Sequence, residues 1–272
     1  MREGQLRAFV PTRTTTVSNC TIHDIPGQHG VYNQDGLFAV RHCRFRNLAL
    51  SAVKNQSTDA GRILRGISAT GILAESIGNA LFEVAEVGGY GGGIEGIQLD
   101  GRGDDVGYLV ELNGRILNAQ VAVRGHRISN NAVYAQGAGM RRFAVVVDAS
   151  DIGQDGVLVT ARNAELTVTP TIRQPNLTRR LGGSAVRVSS SSAEVTVLDP
   201  QLTDTNRRMM YALFSDTVGA QVRVRGTMVA TGASDTAVRA TGCIIEFPAS
   251  ATLEGTHGRF IGIENVAGAK RK

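Results

Sequence analysis

The sequence predicts an all-β fold, a single right-handed parallel β-helix of about ten coils. Three observations point there. The chain repeats itself at an interval in the low twenties, its apolar residues fall in short runs that alternate with polar ones, and Gly, Asn, Asp and Ser interrupt those runs where a coil would turn. A propeller needs blades of about 40 residues, and a Greek-key sandwich does not repeat one motif in register.

The first two coils define the unit. Residues Ser18 to Ile25 (SNCTIHDI) lie on Arg41 to Leu48 (RHCRFRNL) at an offset of 23, and Gly30 to Gln34 (GVYNQ) lie on Ala52 to Gln56 (AVKNQ) at an offset of 22. Apolar meets apolar, Cys meets Cys, and the slip of one residue falls between the two blocks. The second half of the unit, a small residue followed by an aliphatic one, recurs as Ala80-Leu81, Ala132-Val133, Gly156-Val157, Ala185-Val186, Ala212-Leu213 and Ala237-Val238. Leu109-Val110 and Phe260-Ile261 are poorer copies. Between these marks lie alternating runs such as Val121-Ala122-Val123, Val145-Val146-Val147, Leu166-Thr167-Val168, Val195-Thr196-Val197 and Val222-Arg223-Val224, which read as strands. Ile63 to Val87 comes nearest to a helical period and is the stretch that fits a short helix. Residues 1–16 read as an N-terminal cap or attachment segment, 17–264 as the β-helix, and 265–272 as a basic tail.

Composition agrees with one packed solenoid. Hydrophobic residues make up 42% and charged residues 19%, which is enough to bury a core and too little charge for a disordered chain. No run approaches the roughly 18 apolar residues of a membrane span, and the first residues lack the apolar centre of a signal peptide, so no membrane partner is expected. The net charge of +5 is spread along the chain rather than gathered in a stripe, and no nucleic-acid partner is expected. The five His are dispersed and no Cys/His pair has ligand spacing, so neither metal nor cofactor is expected. Cys20, Cys43 and Cys243 read as buried thiols. Cys20 and Cys43 take the equivalent inward position on adjacent coils, at a Cα separation open to a disulfide, with free thiols the expectation.

Strand alternation sorts the side chains into inward and outward columns. Asn33 and Asn55 point inward, one above the other, where their amides can hydrogen-bond along the rod. The position after each recurring aliphatic points outward and gives Tyr32, Lys54, Phe82, Val110, Tyr134, Leu158, Arg187, Phe214 and Arg239. Tyr32, Phe82, Tyr134, Arg187, Phe214 and Arg239 make this an expected contact stripe. A chain with no Trp and five Tyr is poorly supplied for stacking on sugar rings, which favours subunit contact over glycan.

For catalysis the sequence offers three acidic clusters: Asp100 with Asp104 and Asp105, Asp148 with Asp151 and Asp155, and Asp199 with Asp204. All sit among turn-forming residues, so turn building is the expected role. Asp148, Asp151 and Asp155 surround a strand end and are the fallback catalytic group if the protein is an enzyme.

The coil phrase Asn19-Cys20-Thr21-Ile22, followed by Ile25 and Gly30-Val31-Tyr32, resembles coils of the pectate-lyase-like right-handed β-helix superfamily. That superfamily includes polysaccharide lyases, polygalacturonases and the tailspikes and other appendage proteins of bacteriophages. The resemblance spans roughly residues 14 to 264 and is one of coil architecture. The polygalacturonase pattern is not kept: Asn33-Gln34-Asp35, Asp104-Asp105 and Gly125-His126 mimic three of its motifs, but Arg127 replaces a glycine and no Arg-x-Lys follows. The resemblance therefore implies a phage structural protein, a tailspike or fibre segment or a capsid-surface protein. It would be located in the virion, homotrimeric, in contact with other virion proteins and with host polysaccharide. The alternative it implies is a polysaccharide-degrading lyase or glycoside hydrolase of the same fold.

Overall fold

The computed structural model describes residues 15–58, 61–86, 92–178 and 183–261. Among the described residues there is no helix. The 24 strands join one continuous sheet that winds about an axis, and every pairing is parallel. The expected all-β parallel β-helix is the fold of the chain.

Each coil contributes a rung to three ladders, here sheets A, B and C. The second coil illustrates the order, with Phe38–Arg41 in sheet A, Arg44–Leu48 in sheet B and Val53–Ser57 in sheet C. Tracing register partners upward gives ten rungs in sheet C, through Val31, Val53, Phe82, Val110, Val133, Val157, Val186, Leu213, Val238 and Phe260. Sheets A and B also hold ten rungs each. At about 4.8 Å per rung the stack is some 40–50 Å long.

The core follows from alternation. In sheet A the inward pairs are Phe38 and Val40, Ile67 and Ala69, Ile97 and Leu99, Ala119 and Val121, Phe143 and Val145, Leu166 and Val168, all buried. No coil can hide this face alone, because each inward side chain lies on its equivalent one rung away. Each fully buried aliphatic contributes about 1.5–3 kcal/mol, offset by the entropy of ordering its coil.

The corners are set by left-handed residues, which stack as regularly as the strands do. Near the end of sheet B, Asp24, Asn47, Ser76, Asp105, Arg127, Asp151 and Gln174 all have φ between 50° and 58°. Each is inserted before an inward apolar residue, an aliphatic one in every case but Gln174, which precedes the buried Pro175, so the residue re-phases the alternation and bends the strand. Asn and Asp tolerate this conformation because their short side chains hydrogen-bond locally. Asn47 Nδ2 donates to Asp24 Oδ1 at 2.7 Å, so this column braces itself from rung to rung.

Two sequence expectations are corrected here. Residues 63–86 form strands Ile63–Arg65 and Ile67–Glu86, not a helix. Inward residues fall at 67, 69, 72, 74 and 77, steps of two lengthened to three where left-handed Gly71 and Ser76 turn the corners, and this mimics a longer period. Cys20 is exposed, although Cys43 is buried and all three thiols are free. Cys20 belongs to the first described coil, so no described rung covers it from below. Thr15 and Thr16 already belong to the first rung, while the rest of the expected N-terminal segment and the basic tail lie outside the described residues. The inward amide ladder is as expected: Asn33 and Asn55 are buried in register and Asn33 Nδ2 donates to Asn55 Oδ1 and, at 2.8 Å, to the Gly36 carbonyl.

Candidate functional site

The outward column of sheet C reads Tyr32, Lys54, Glu83, Glu111, Tyr134, Leu158, Arg187, Phe214 and Arg239. Five of the six expected stripe residues are on it. Phe82 is not: it is 0% exposed and stacks in register on Val53, as Val110 does on the next rung. In coils three and four Leu81 and Leu109 occupy the corner slot that the first two coils and the fifth to ninth give to Gly or Ala. The small-aliphatic mark therefore reads one residue early, and the outward residues are Glu83 and Glu111.

These two glutamates were missed from the sequence, and they sit in a connected polar cluster that spans neighbouring coils. Lys54 Nζ lies 2.7 Å from Glu83 Oε1, and Ser51 Oγ donates to Glu83 Oε2 at 2.5 Å. Asn79 Nδ2 reaches Glu83 Oε2 at 3.2 Å, Glu111 Oε2 at 3.3 Å and Ser51 Oγ at 3.1 Å. Gln136 donates to Glu111 Oε1 at 3.4 Å, and the backbone N–H of Ser51 donates to His29 Nδ1 at 3.1 Å. Tyr32 closes one end, its ring 5.7 Å from the Lys54 ammonium and its hydroxyl 3.1 Å from Gln56. Tyr108 and Tyr134 stack at 6.2 Å at the other end. The signal that would have found the pair is spacing: Lys54, Glu83 and Glu111 succeed one another at about one coil length.

Burial separates the two carboxyls. It pushes Glu111 above its ordinary value, with the Glu83 charge acting the same way against the Asn79 hydrogen bond. Burial acts on Glu83 too, but the hydrogen bonds from Lys54 and Ser51 outweigh it and hold that group below its usual value. Two carboxyls on adjacent rungs pushed in opposite directions by their surroundings are the contrast that an acid–base pair uses. Asn79 hydrogen-bonds both, which is equally the arrangement of a brace between coils.

Farther up, the column turns cationic and aromatic. Phe214 lies between the guanidinium groups of Arg187, 5.2 Å from its ring, and Arg239, 6.0 Å away. Arg187 is ion-paired to Asp216 at 2.6 Å, and Arg239 donates to the Tyr211 hydroxyl, which faces Asp235 at 3.2 Å. Phe214 is only 8% exposed. The stripe is thus a mutually satisfied ladder rather than a row of free side chains.

Sheet B and the turn that follows it carry the fallback acids, and the structure gives each a separate employment. Asp148 pairs with Arg173 at 2.5 Å. Asp151 lies 2.9 Å from His126 Nδ1, and Ser150 Oγ lies 3.0 Å from that same nitrogen. A nucleophile–base–orienter relay needs its partners on opposite ring nitrogens, so these three do not form one. Asp155 is fully buried and accepts the Ser184 backbone N–H at 2.7 Å. Asp204 likewise accepts N–H groups from Asn206, Arg208 and Met209, as a turn builder does. Among the described residues no three His, Cys, Asp or Glu side chains gather as a metal site.

Comparison with known proteins finds no matching family model, no matching curated protein and no matching solved structure.

Proposed function

We propose that the protein is a non-enzymatic structural rod of a bacteriophage virion. It would serve as a tailspike or fibre segment or as a capsid-surface protein, assemble as a homotrimer, dock on other virion proteins and touch host glycans. One observation carries this reading: among the described residues the ion pairs of the rod run mostly from one coil to the next. Lys54–Glu83, Arg65–Glu95, Arg127–Asp104, Arg173–Asp148, Arg187–Asp216, Arg223–Glu194 and Arg225–Glu246 all join neighbouring coils. Exposed pairs are each worth little, about 0–1 kcal/mol, but a network repeated along three faces stiffens a rod without preparing a reaction centre. The coil resemblance to phage appendages supplies the setting. Mass spectrometry of purified particles from a phage encoding the chain tests the location. Recovery in stoichiometric amount supports the proposal, and absence from intact particles overturns it.

A second reading, a polysaccharide-degrading enzyme, is favoured by the Glu83–Glu111 pair alone. In that case Glu111 is the proton donor and Glu83 the carboxylate opposite it. Release of reducing ends from bacterial polysaccharides that Glu111→Gln abolishes and Asp148→Asn spares establishes this reading over the first.

A further inference from the structure

The corner between sheets A and B brings two thiols together in the first two coils. Left-handed Asn19 and His42 turn the chain there, with φ of 55° and 51°, and a cysteine follows each. Backbone hydrogen bonds clamp the two corners in register. Asn19 N–H donates to the Arg41 carbonyl at 3.0 Å and Arg44 N–H to the Cys20 carbonyl at 2.9 Å, so Cys43 stands on Cys20 one rung away. A rung of about 4.8 Å falls inside the Cα range of about 4.4–6.8 Å that a disulfide spans.

The sulfurs converge as the backbones do. Cys43 Sγ, although its residue belongs to the second coil, lies 3.7 Å from the Val17 carbonyl of the first, and Cys20 Sγ lies 3.2 Å from the next carbonyl, that of Ser18. Above Cys43 in the column is fully buried Ile72, so its sulfur-bearing neighbour is the one below. The two thiols differ in access, Cys20 being exposed and Cys43 buried. Burial pushes the Cys43 thiol up, and a hydrogen bond with the Cys20 side chain acts the same way. Only a thiolate attacks a disulfide, so the exposed thiol meets an oxidant first and the buried one follows.

We infer that Cys20 and Cys43 are a redox pair, which a low-molecular-weight disulfide converts into a covalent staple between the first coil and the second. The Cys20 thiolate attacks one sulfur of the oxidant, breaking its S–S bond and expelling one thiolate. Cys43 then gives up its proton and attacks the Cys20 sulfur of the mixed disulfide, which forms the Cys20–Cys43 bond and expels the second thiolate. Two protein thiols are oxidised, and one small disulfide is reduced to two thiols that carry away both protons. The first coil is what the staple changes. It has a described neighbour on one side only, so one ladder holds it where two hold an inner coil. A bond between residues 23 apart limits how far that coil can open. The staple needs no partner and no glycan, and is independent of the virion role.

The test treats the full chain carrying Cys243→Ser with dithiodipyridine, whose released thiopyridone is followed by absorbance. The folded protein should release two equivalents per chain, the second more slowly. Peptide mapping should then join the Cys20 and Cys43 peptides within one chain, and amide exchange across Thr21–Ile25 should slow about tenfold or more. On that background Cys20→Ser should release none while folded, and Cys43→Ala should release one and stop at the mixed disulfide. Melting of the reduced variants controls for folding, and if Cys43→Ala melts early the peptide map of the parent still decides. A single equivalent with a lasting mixed disulfide, or chains cross-linked to one another through Cys20, overturns the pair. Release from folded Cys20→Ser overturns the order of attack. Thr21–Ile25 amides that exchange alike in the oxidised and reduced chains overturn the staple.

Discussion

Replacing Phe82 by Ala separates the observed register from the one the sequence suggests. If Phe82 pointed outward, its loss would cost almost nothing. In the structure its ring is 0% exposed and packed against the neighbouring rung, so closely that a Cβ on Gly101 would meet ring atom Cζ at 2.9 Å. No backbone shift of one coil can fill the resulting void without disturbing the rungs above and below. Phe→Ala in such a site costs about 3–5 kcal/mol. At roughly 2–4 °C per kcal/mol for a chain of this order, the melting midpoint should fall by about 10 °C. The assay is far-UV circular dichroism on heating, with Tyr134→Ala as the control on an outward position of the same sheet. Tyr134→Ala should shift the midpoint far less. A Phe82→Ala midpoint within about 2 °C of the parent would refute the register and with it the placement of Glu83 and Glu111.

Other outcomes follow from the same geometry. Glu111 has a raised folded pKa, so its contribution to stability is present below the ordinary carboxylate value and is lost as pH rises through the folded one. Glu111→Gln should therefore gain stability relative to the parent between pH 4 and pH 7 in melting curves, and a pH-independent difference would contradict this. Asn33→Leu or Asn55→Leu should each cost about 1–3 kcal/mol in urea unfolding, because the partner amide is stranded in the core. The double variant should recover part of that loss, and strict additivity would deny the ladder. Cys20 should react with a thiol reagent in the native protein, whereas Cys43, buried and with its pKa pushed up by that burial, should react only on unfolding. Equal rates would show that the first coil opens.

The fold was legible because its signal is local. Alternation and small corner residues announce each rung, and they place the Asn33–Asn55 ladder without knowledge of the rest. The site was less legible, for a physical reason: successive coils differ in length from 22 to 29 residues, so outward neighbours cannot be aligned by counting. Where Leu81 and Leu109 replaced the small corner residue, the column slipped by one and the glutamates exchanged places with core residues. The left-handed column was hidden too, since Ser76, Arg127 and Gln174 stand where Asn or Asp would have marked the turn. Cross-coil pairs such as Arg187–Asp216 exist only once the coils are stacked.

The proposal that the rod works as an assembled structural element is tested most directly by its native mass. Light scattering of the purified chain at micromolar concentration should give about three times the 28.8 kDa of one chain. A mass of one chain across that range would contradict the trimeric rod.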